Sequence, residues 1–332
     1  MSGPVRTDDV PPDGPPGPGG AEEPRVQVVT SREATVGDTR VLRALPRRGH
    51  RTVGAWCFAD HMAPPGRGGG GGGARLDIGP HPHTALQTVT WLLDGEVLHR
   101  DSLGSEQLIR PGQLNLMTAG RGVAHAEETP PGAATGGAQG VQLWVAQPEE
   151  TRHGPPAFEH HPQLPVATIG GAVATVLVGE LAGAESPARR DTDHLGADLA
   201  LPGGRATLPL RAGHEHALVV LAGAVSVEDA GGPTGPVGPG HLVYLAPGRH
   251  EVTLSARGAT RALLLGGVPF PEPIVMWWNF VARTHDEVDA ARRDWEAGAD
   301  RFGPVASRLA RIPAPPAPPW TCLLYTSDAA DD

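Results

Sequence analysis

Lysine is absent from the 332 residues, and all 27 basic side chains are arginine. Set against 37 acidic residues they leave a formal charge of −10, which argues against the basic face that nucleic-acid binding needs. The arginine-only set, with abundant Ala, Gly and Pro, matches the codon usage of a GC-rich bacterial genome and says little about chemistry. Cysteine is nearly missing. Cys57 and Cys322 lie far apart and outside any C-x-x-C pattern, which excludes a disulfide framework and a thiolate zinc site. No stretch approaches the ~20 apolar residues of a membrane span. The opening MSGPVRTDDVPPDGPPGPGG lacks the apolar segment of a secretory leader, so a cytoplasmic protein is expected. Glycine (46) and proline (36) together make up about a quarter of the chain, which disfavours long helical bundles. The 15 histidines are what remains to be explained.

At roughly 150 residues per domain the length suggests two domains. Residues 1–25 are rich in Pro, Gly and acid and cannot bury enough apolar surface to offset the cost of ordering; they are expected to form a disordered tail. From there, short β-branched or aromatic runs such as VQVVT, TRVLRAL and TVGAWCF alternate with turn residues every 8 to 12 positions, the rhythm of a β-sandwich or barrel. The glycine run Gly68–Gly73 is expected to be a loop insertion, since an extended element follows it where a phosphate cradle would need a helix. Thr88 to Leu93 alternates, with Val89, Trp91 and Leu93 on one face and a turn at Asp94-Gly95. A weaker echo of the same unit begins near residue 165. Each copy has a His-x-His near its start, His81/His83 and His214/His216, which suggests an internal duplication. Thr284-His-Asp-Glu287 has the form of a capping box. It opens one predicted helix, with Val288, Ala291 and Trp295 on a single face.

Alternate residues of a strand share a face, so His81 and His83 project together, as do His125 and Glu127. Two such strands give three imidazoles and one carboxylate with room for further coordination positions. That set suits a divalent metal such as Fe(II), Mn, Co, Ni or Cu better than a closed structural zinc. His61 and His99 are expected to play structural or rim roles, satisfied by backbone carbonyls. Arg121, between Gly120 and Gly122, either faces the pocket to bind an anionic group or stabilises a turn. Cys57 is expected to pack as a small hydrophobe.

From Phe58 to Glu149 the motifs ADH (59–61), PHPH (80–83), QTVTWLLDGEVLHRDSLG (87–104), RPGQLNLMTAGRGVAHAEE and VQLWVA, with PIVMWWNFVART near the end, resemble the pirin family. The likeness extends from Val26 to Trp320. It implies an all-β protein of two cupin barrels packed together plus one C-terminal α-helix. The implied divisions are a tail (1–25), a metal-binding cupin (26–150), a linker (151–164), a cupin without metal (165–270), a strand and helix packing on the barrels (271–320), and a residual tail (321–332). It further implies one iron per chain on His81, His83, His125 and Glu127. Gln87 stands where many cupins carry a ligating Glu, and as an amide is expected only to hydrogen-bond a metal-bound group. Some bacterial members resemble quercetin 2,3-dioxygenases, in which a flavonol is cleaved by O₂ with release of carbon monoxide; there Glu127 would also be the base for the 3-hydroxyl proton. The expected partners are then a small aromatic or enol-bearing substrate and O₂, in a monomer. The alternative is a non-enzymatic regulator, whose iron changes the surface read by a protein partner.

Four departures from the family pattern stand out, at Met62-Ala63, at Ala126 in place of Ser, in the glycine run Gly68–Gly73 that interrupts the loop before the metal motif, and in the loop Gly132–Gly140. The second barrel keeps His214, His216 and His250 but has Val252 where a ligating carboxylate would stand. Its segment Pro273–Phe280 is expected to pack where the barrels meet. Cys322–Asp332 back-translates, with permitted codons, into a sequence resembling a transposase adapter, and is expected to be foreign to the natural protein.

Overall fold

The computed structural model describes residues 26–36, 39–62, 75–133, 137–229 and 232–316. The expectations for residues 1–25, Gly68–Gly73 and Cys322–Asp332 lie outside these.

Two seven-stranded antiparallel sheets dominate, and they share one strand order. The first runs Ala157–His161, Leu114–Thr118, Leu86–Asp94, Gln139–Ala146, Trp56–Met62, Thr39–Leu45, Arg32–Val36. The second runs Val26–Thr30, His241–Leu245, Glu215–Ala222, Thr260–Gly267, His194–Leu201, Ala172–Val178, Val166–Ile169. Each is backed by a smaller sheet. In the first unit this is Ile78–His83, Val123–Glu128, Val97–Asp101 and Glu106–Ile109; in the second it is Gly204–Pro209, Glu251–Ala256 and Val225–Val227. Two cupin barrels result, as expected. Among the described residues no helix is long and apolar enough to cross a membrane.

The domain divisions need two corrections. Val26–Thr30, expected in the first barrel, pairs with His241–Leu245 of the second. Ala157–His161, expected in a linker, pairs with Leu114–Thr118 of the first. The physical reason is the same for both: each strand covers an edge of its partner, His241–Leu245 or Leu114–Thr118, that would otherwise be open.

The alternating face of Leu86–Asp94 points away from its own barrel. Val89 and Trp91 are buried, and Leu93 half-buried, in a cluster that includes Ala217, Val219, Leu221, Leu242, Leu263 and Leu265 of the second sheet. The seam is therefore sheet against sheet. Polar anchors fix it, with Trp56 Nε1 donating to the Leu195 carbonyl and Trp91 Nε1 to Asp198 Oδ2, both at 2.9 Å. Gly196 allows the contact, because a Cβ there would meet the Trp56 ring at 2.8 Å. The opposite face of the same strand, with Thr88 and Thr90, turns inward.

The hairpin Val275–Trp277/Phe280–Ala282 and the helix His285–Glu296 complete the first barrel. Glu287 N donates to Thr284 Oγ1 at 3.2 Å, the expected N-cap. Val288, Ala291 and Trp295 are buried with Trp277, Phe280, Phe302 and Ala124. Pro273–Phe280 was expected at the seam. Ile274 instead packs with Phe58, Leu86 and Trp144, and Trp277 and Phe280 with Ala124 and the helix. The seam is already filled by the facing sheets, so the apolar C-terminal residues cover the first barrel.

Candidate metal centre

His81 and His83 come from Ile78–His83, and His125 from its antiparallel neighbour Val123–Glu128, where His125 lies opposite His81. Their ligand atoms lie within 4.8 Å of one another, and all three residues are buried. His83 Nε2 and His125 Nε2 are 3.1 Å apart. Two rings are oriented by backbone carbonyls. His81 Nδ1 donates to Gly79 O and His83 Nδ1 to Asn279 O, each at 2.9 Å. A carbonyl only accepts, so both rings present their Nε2 lone pairs to the cavity. Burial holds His81 down at about 4 and pushes His83 and His125 well below the ordinary histidine value. Neutral imidazole is the ligating form, and the donor set can hold a metal ion.

Glu127 follows His125 on the same strand, but a register shift separates the two against Ile78–His83. Its carboxylate is not among the ligand atoms gathered within 4.8 Å. It lines the same cavity and accepts from Thr90 Oγ1 at 3.3 Å. Burial raises its pKa, against the opposing pull of His99.

The cavity has a volume of about 290 Å³. One wall is aromatic, with Phe58 stacked on Trp144 (4.2 Å between centroids, 17°) and the Trp144 ring edge-on to His83 at 5.2 Å. Arg43 lies over Phe58 and donates through Nε and Nη2 to the two oxygens of Asp60, each at 2.9 Å. Gln142 and Thr90 are joined at 3.1 Å.

The C-terminal segment supplies part of the cavity wall. Trp278, Asn279 and Ile312 line it, and Ile312 N donates to Pro80 O at 2.9 Å. Gly79 permits this approach, since a Cβ there would lie 2.0 Å from the Ala310 carbonyl. Trp278 has φ +50°, uncommon for a bulky residue, in the turn that presents Asn279 to His83. Sequence reasoning missed these contributors, although PIVMWWNFVART was visible as a motif.

Other expected residues fall elsewhere. Gln87 is buried, donates to Thr118 Oγ1 at 3.0 Å, and is not on the cavity wall. Arg121 is exposed and lines a separate cleft with Arg152, Glu287 and Arg301; its backbone makes the turn contacts, N to Gly154 O and O from Arg301. His61 is buried, neither ring nitrogen has a hydrogen-bond partner among the described residues, and burial holds it at about 4. It was expected to be satisfied by carbonyls. Its strand partners Leu42 and Val141 are apolar instead. His99 is not at a rim. It is buried behind His125, with its Nε2 3.1 Å from Asp101 Oδ2 and its Nδ1 3.4 Å from His125 Nδ1. Asp101 is held below the usual carboxylate range; burial opposes this, but hydrogen bonds from His99 and the Ser105 backbone outweigh it. Cys57 is buried and packs with Phe58, Leu86 and Trp144, its thiol pushed up to about 12 by burial.

Comparison with known proteins agrees with this geometry. The Pirin family model matches residues 38–145, and the Pirin C-terminal cupin domain matches 197–303. A Pseudomonas aeruginosa protein provisionally named as a quercetin 2,3-dioxygenase is 46% identical over 296 residues, 88% of this chain and 91% of that one. A pirin-like protein of Caulobacter vibrioides is 37% identical, covering 82% and 93%. The crystal structure of a quercetin 2,3-dioxygenase from Acinetobacter baumannii superposes with a TM-score of 0.80 at 40% identity, covering 89% and 96%. With both of its barrels matched and the histidine cluster held in the first, the chain belongs to the pirin family.

Proposed function

We propose that the protein is a metal-dependent dioxygenase acting on flat, enol-bearing aromatic compounds of the flavonol type. The observation that carries this reading is the convergence of three buried imidazoles on a cavity with an aromatic wall. The 290 Å³ volume sits at the lower end of the range for small-molecule sites. The relatives named as quercetin 2,3-dioxygenases supply the substrate class.

In this reading His81, His83 and His125 hold the metal, Fe(II) by preference, and Glu127 completes the set. When bound, the metal polarises substrate oxygens and serves as the redox centre for O₂. The protein's own residues do the rest. The stacked pair Phe58 and Trp144 forms the apolar wall along which the planar substrate lies, while Trp278 and Ile312 exclude water. Glu127, buried and shared with Thr90, takes the proton of the acidic hydroxyl and holds it away from solvent.

The test is anaerobic reconstitution with Fe(II), followed by oxygen-electrode and carbon monoxide assays on flavonols. Oxygen consumption matched by carbon monoxide is expected, with Glu127→Gln lowering the rate by a factor on the order of 10² to 10⁴ while metal is retained. A fully metallated protein that consumes no O₂ with any flavonol overturns the enzyme reading and favours a protein-binding regulator.

A further inference from the structure

His125 differs from the other two histidines of the cluster in how its ring is held. His81 and His83 each give their Nδ1 proton to a carbonyl, which by itself fixes the tautomer. His125 Nδ1 faces another imidazole nitrogen, Nδ1 of His99, at 3.4 Å. On its other side His125 Nε2 lies 3.1 Å from His83 Nε2, a neutral acceptor because the His83 proton is on Nδ1, so the side on which His125 carries its proton is decided by what stands on the far side of His99. There Nε2 lies 3.1 Å from Asp101 Oδ2, while Asp101 Oδ1 accepts the backbone N–H groups of Leu103 and Ser105, each at 2.9 Å. A carboxylate accepts only. His99 must therefore carry its proton on Nε2, its Nδ1 becomes the acceptor, and the His125 proton is drawn to Nδ1. The His125 Nε2 lone pair is left facing the cavity.

We propose that Asp101 and His99 form a positioning relay that selects the ligating tautomer of His125 and fixes the plane of its ring. The relay rests on the metal reading above and is distinct from the ligand set. Its members are locked. The His99 ring is stacked on Phe158 at 4.4 Å and 14°, and Phe158 belongs to the strand Ala157–His161. His99 and Asp101 are both buried. The sequence carries the relay as His99-Arg-Asp101, an i,i+2 pair on the strand that lies beside Val123–Glu128, with Asp101 directly opposite His125.

Asp101→Asn tests the relay, because it keeps shape but not polarity. The amide oxygen takes the two backbone donors and the NH₂ group then faces His99 Nε2. His99 moves its proton to Nδ1, which denies His125 its acceptor. Long-range ¹H–¹⁵N spectra of metal-free protein labelled at histidine read the tautomers directly. Wild type is expected to show His125 protonated at Nδ1, and Asp101→Asn to move that proton to Nε2. Zinc(II) affinity, measured against a competing chelator, should fall ~10- to 100-fold with the melting temperature little changed. His99→Phe, which keeps the stack on Phe158, should weaken zinc equally, and adding Asp101→Asn to it should cost nothing more. An unchanged His125 tautomer in Asp101→Asn overturns the relay whatever the metal affinity. Wild-type protein that binds no zinc overturns the metal reading, while the tautomer still decides the relay.

Discussion

The two barrels share one strand order and differ in what the order carries. In the first, the strand Ile78–His83 brings two imidazoles to the cavity and its neighbour Val123–Glu128 brings a third. In the second, the strand at the equivalent place is Gly204–Pro209, paired to Glu251–Ala256 in the same manner, and it contains no histidine. His216 sits opposite Leu245 and Gly266. The matching register of the first barrel, opposite Thr118 and Val145, belongs to Gln87. The two His-x-His motifs that look like a repeat are therefore not equivalent positions. His214 turns its Nε2 to Asp193 at 3.2 Å, His250 is exposed, and Val252 is buried and apolar. The lesson is that duplication has preserved the frame, while a ligand set depends on which strand of it a motif falls on.

The largest effect expected from this comparison is in metal content. His83→Ala or His125→Ala should remove the one equivalent expected of metal-loaded wild type, whereas a His214→Ala/His216→Ala double variant should keep it. Elemental analysis of protein purified after metal loading checks both. A loss of metal in the second-barrel variant would show that the frame carries two centres.

The strand rhythm, the helix with its Thr284 cap and the clustering of His81, His83 and His125 were legible because each depends on local spacing, whereas the Glu127 carboxylate, expected among the ligands, lies on the cavity wall outside that cluster. The period of two sets His81 beside His83, and the Thr284 N-cap sets the helix start, with the Glu287 carboxylate accepting from Arg283 N rather than completing a capping box. What was not legible depends on register between distant strands. Nothing local says that Val26–Thr30 belongs to the second sheet, or that Val89 and Trp91 face the other barrel rather than their own. The same holds for Asn279, whose carbonyl reaches His83 across 196 positions of sequence. It holds too for His99, which becomes meaningful only once His125 is known to be its neighbour. The glycines beside Arg121 left it either a pocket residue or a turn stabiliser; its backbone makes turn contacts and its side chain lines a different cleft.

A smaller effect concerns what the barrels share. His61 in the first and His216 in the second are buried and held at about 4, against 6.5 for the free side chain. Between these values the unfolded chain binds more protons than the folded one, so stability rises with pH across this window and is lost as pH falls through it. Above pH 6.5 these groups make no further difference. The melting temperature of metal-free protein should hold steady from pH 8 to ~6.5 and then drop by several degrees toward pH 4, each kcal/mol amounting to ~2–4 °C in a domain of this size. Calorimetry in the His61→Leu/His216→Leu double variant should show a shallower decline.

In the function proposed above, this two-barrel frame holds a single metal centre, in the first barrel, on the Nε2 atoms of His81, His83 and His125. Anomalous diffraction at the absorption edge of the bound metal in crystals of the loaded protein tests it most directly. One peak is expected, bonded to those three nitrogens inside the cavity lined by Trp278 and Asn279. A peak beside His214 and His216, or a metal on the surface with the first cavity empty, would contradict it.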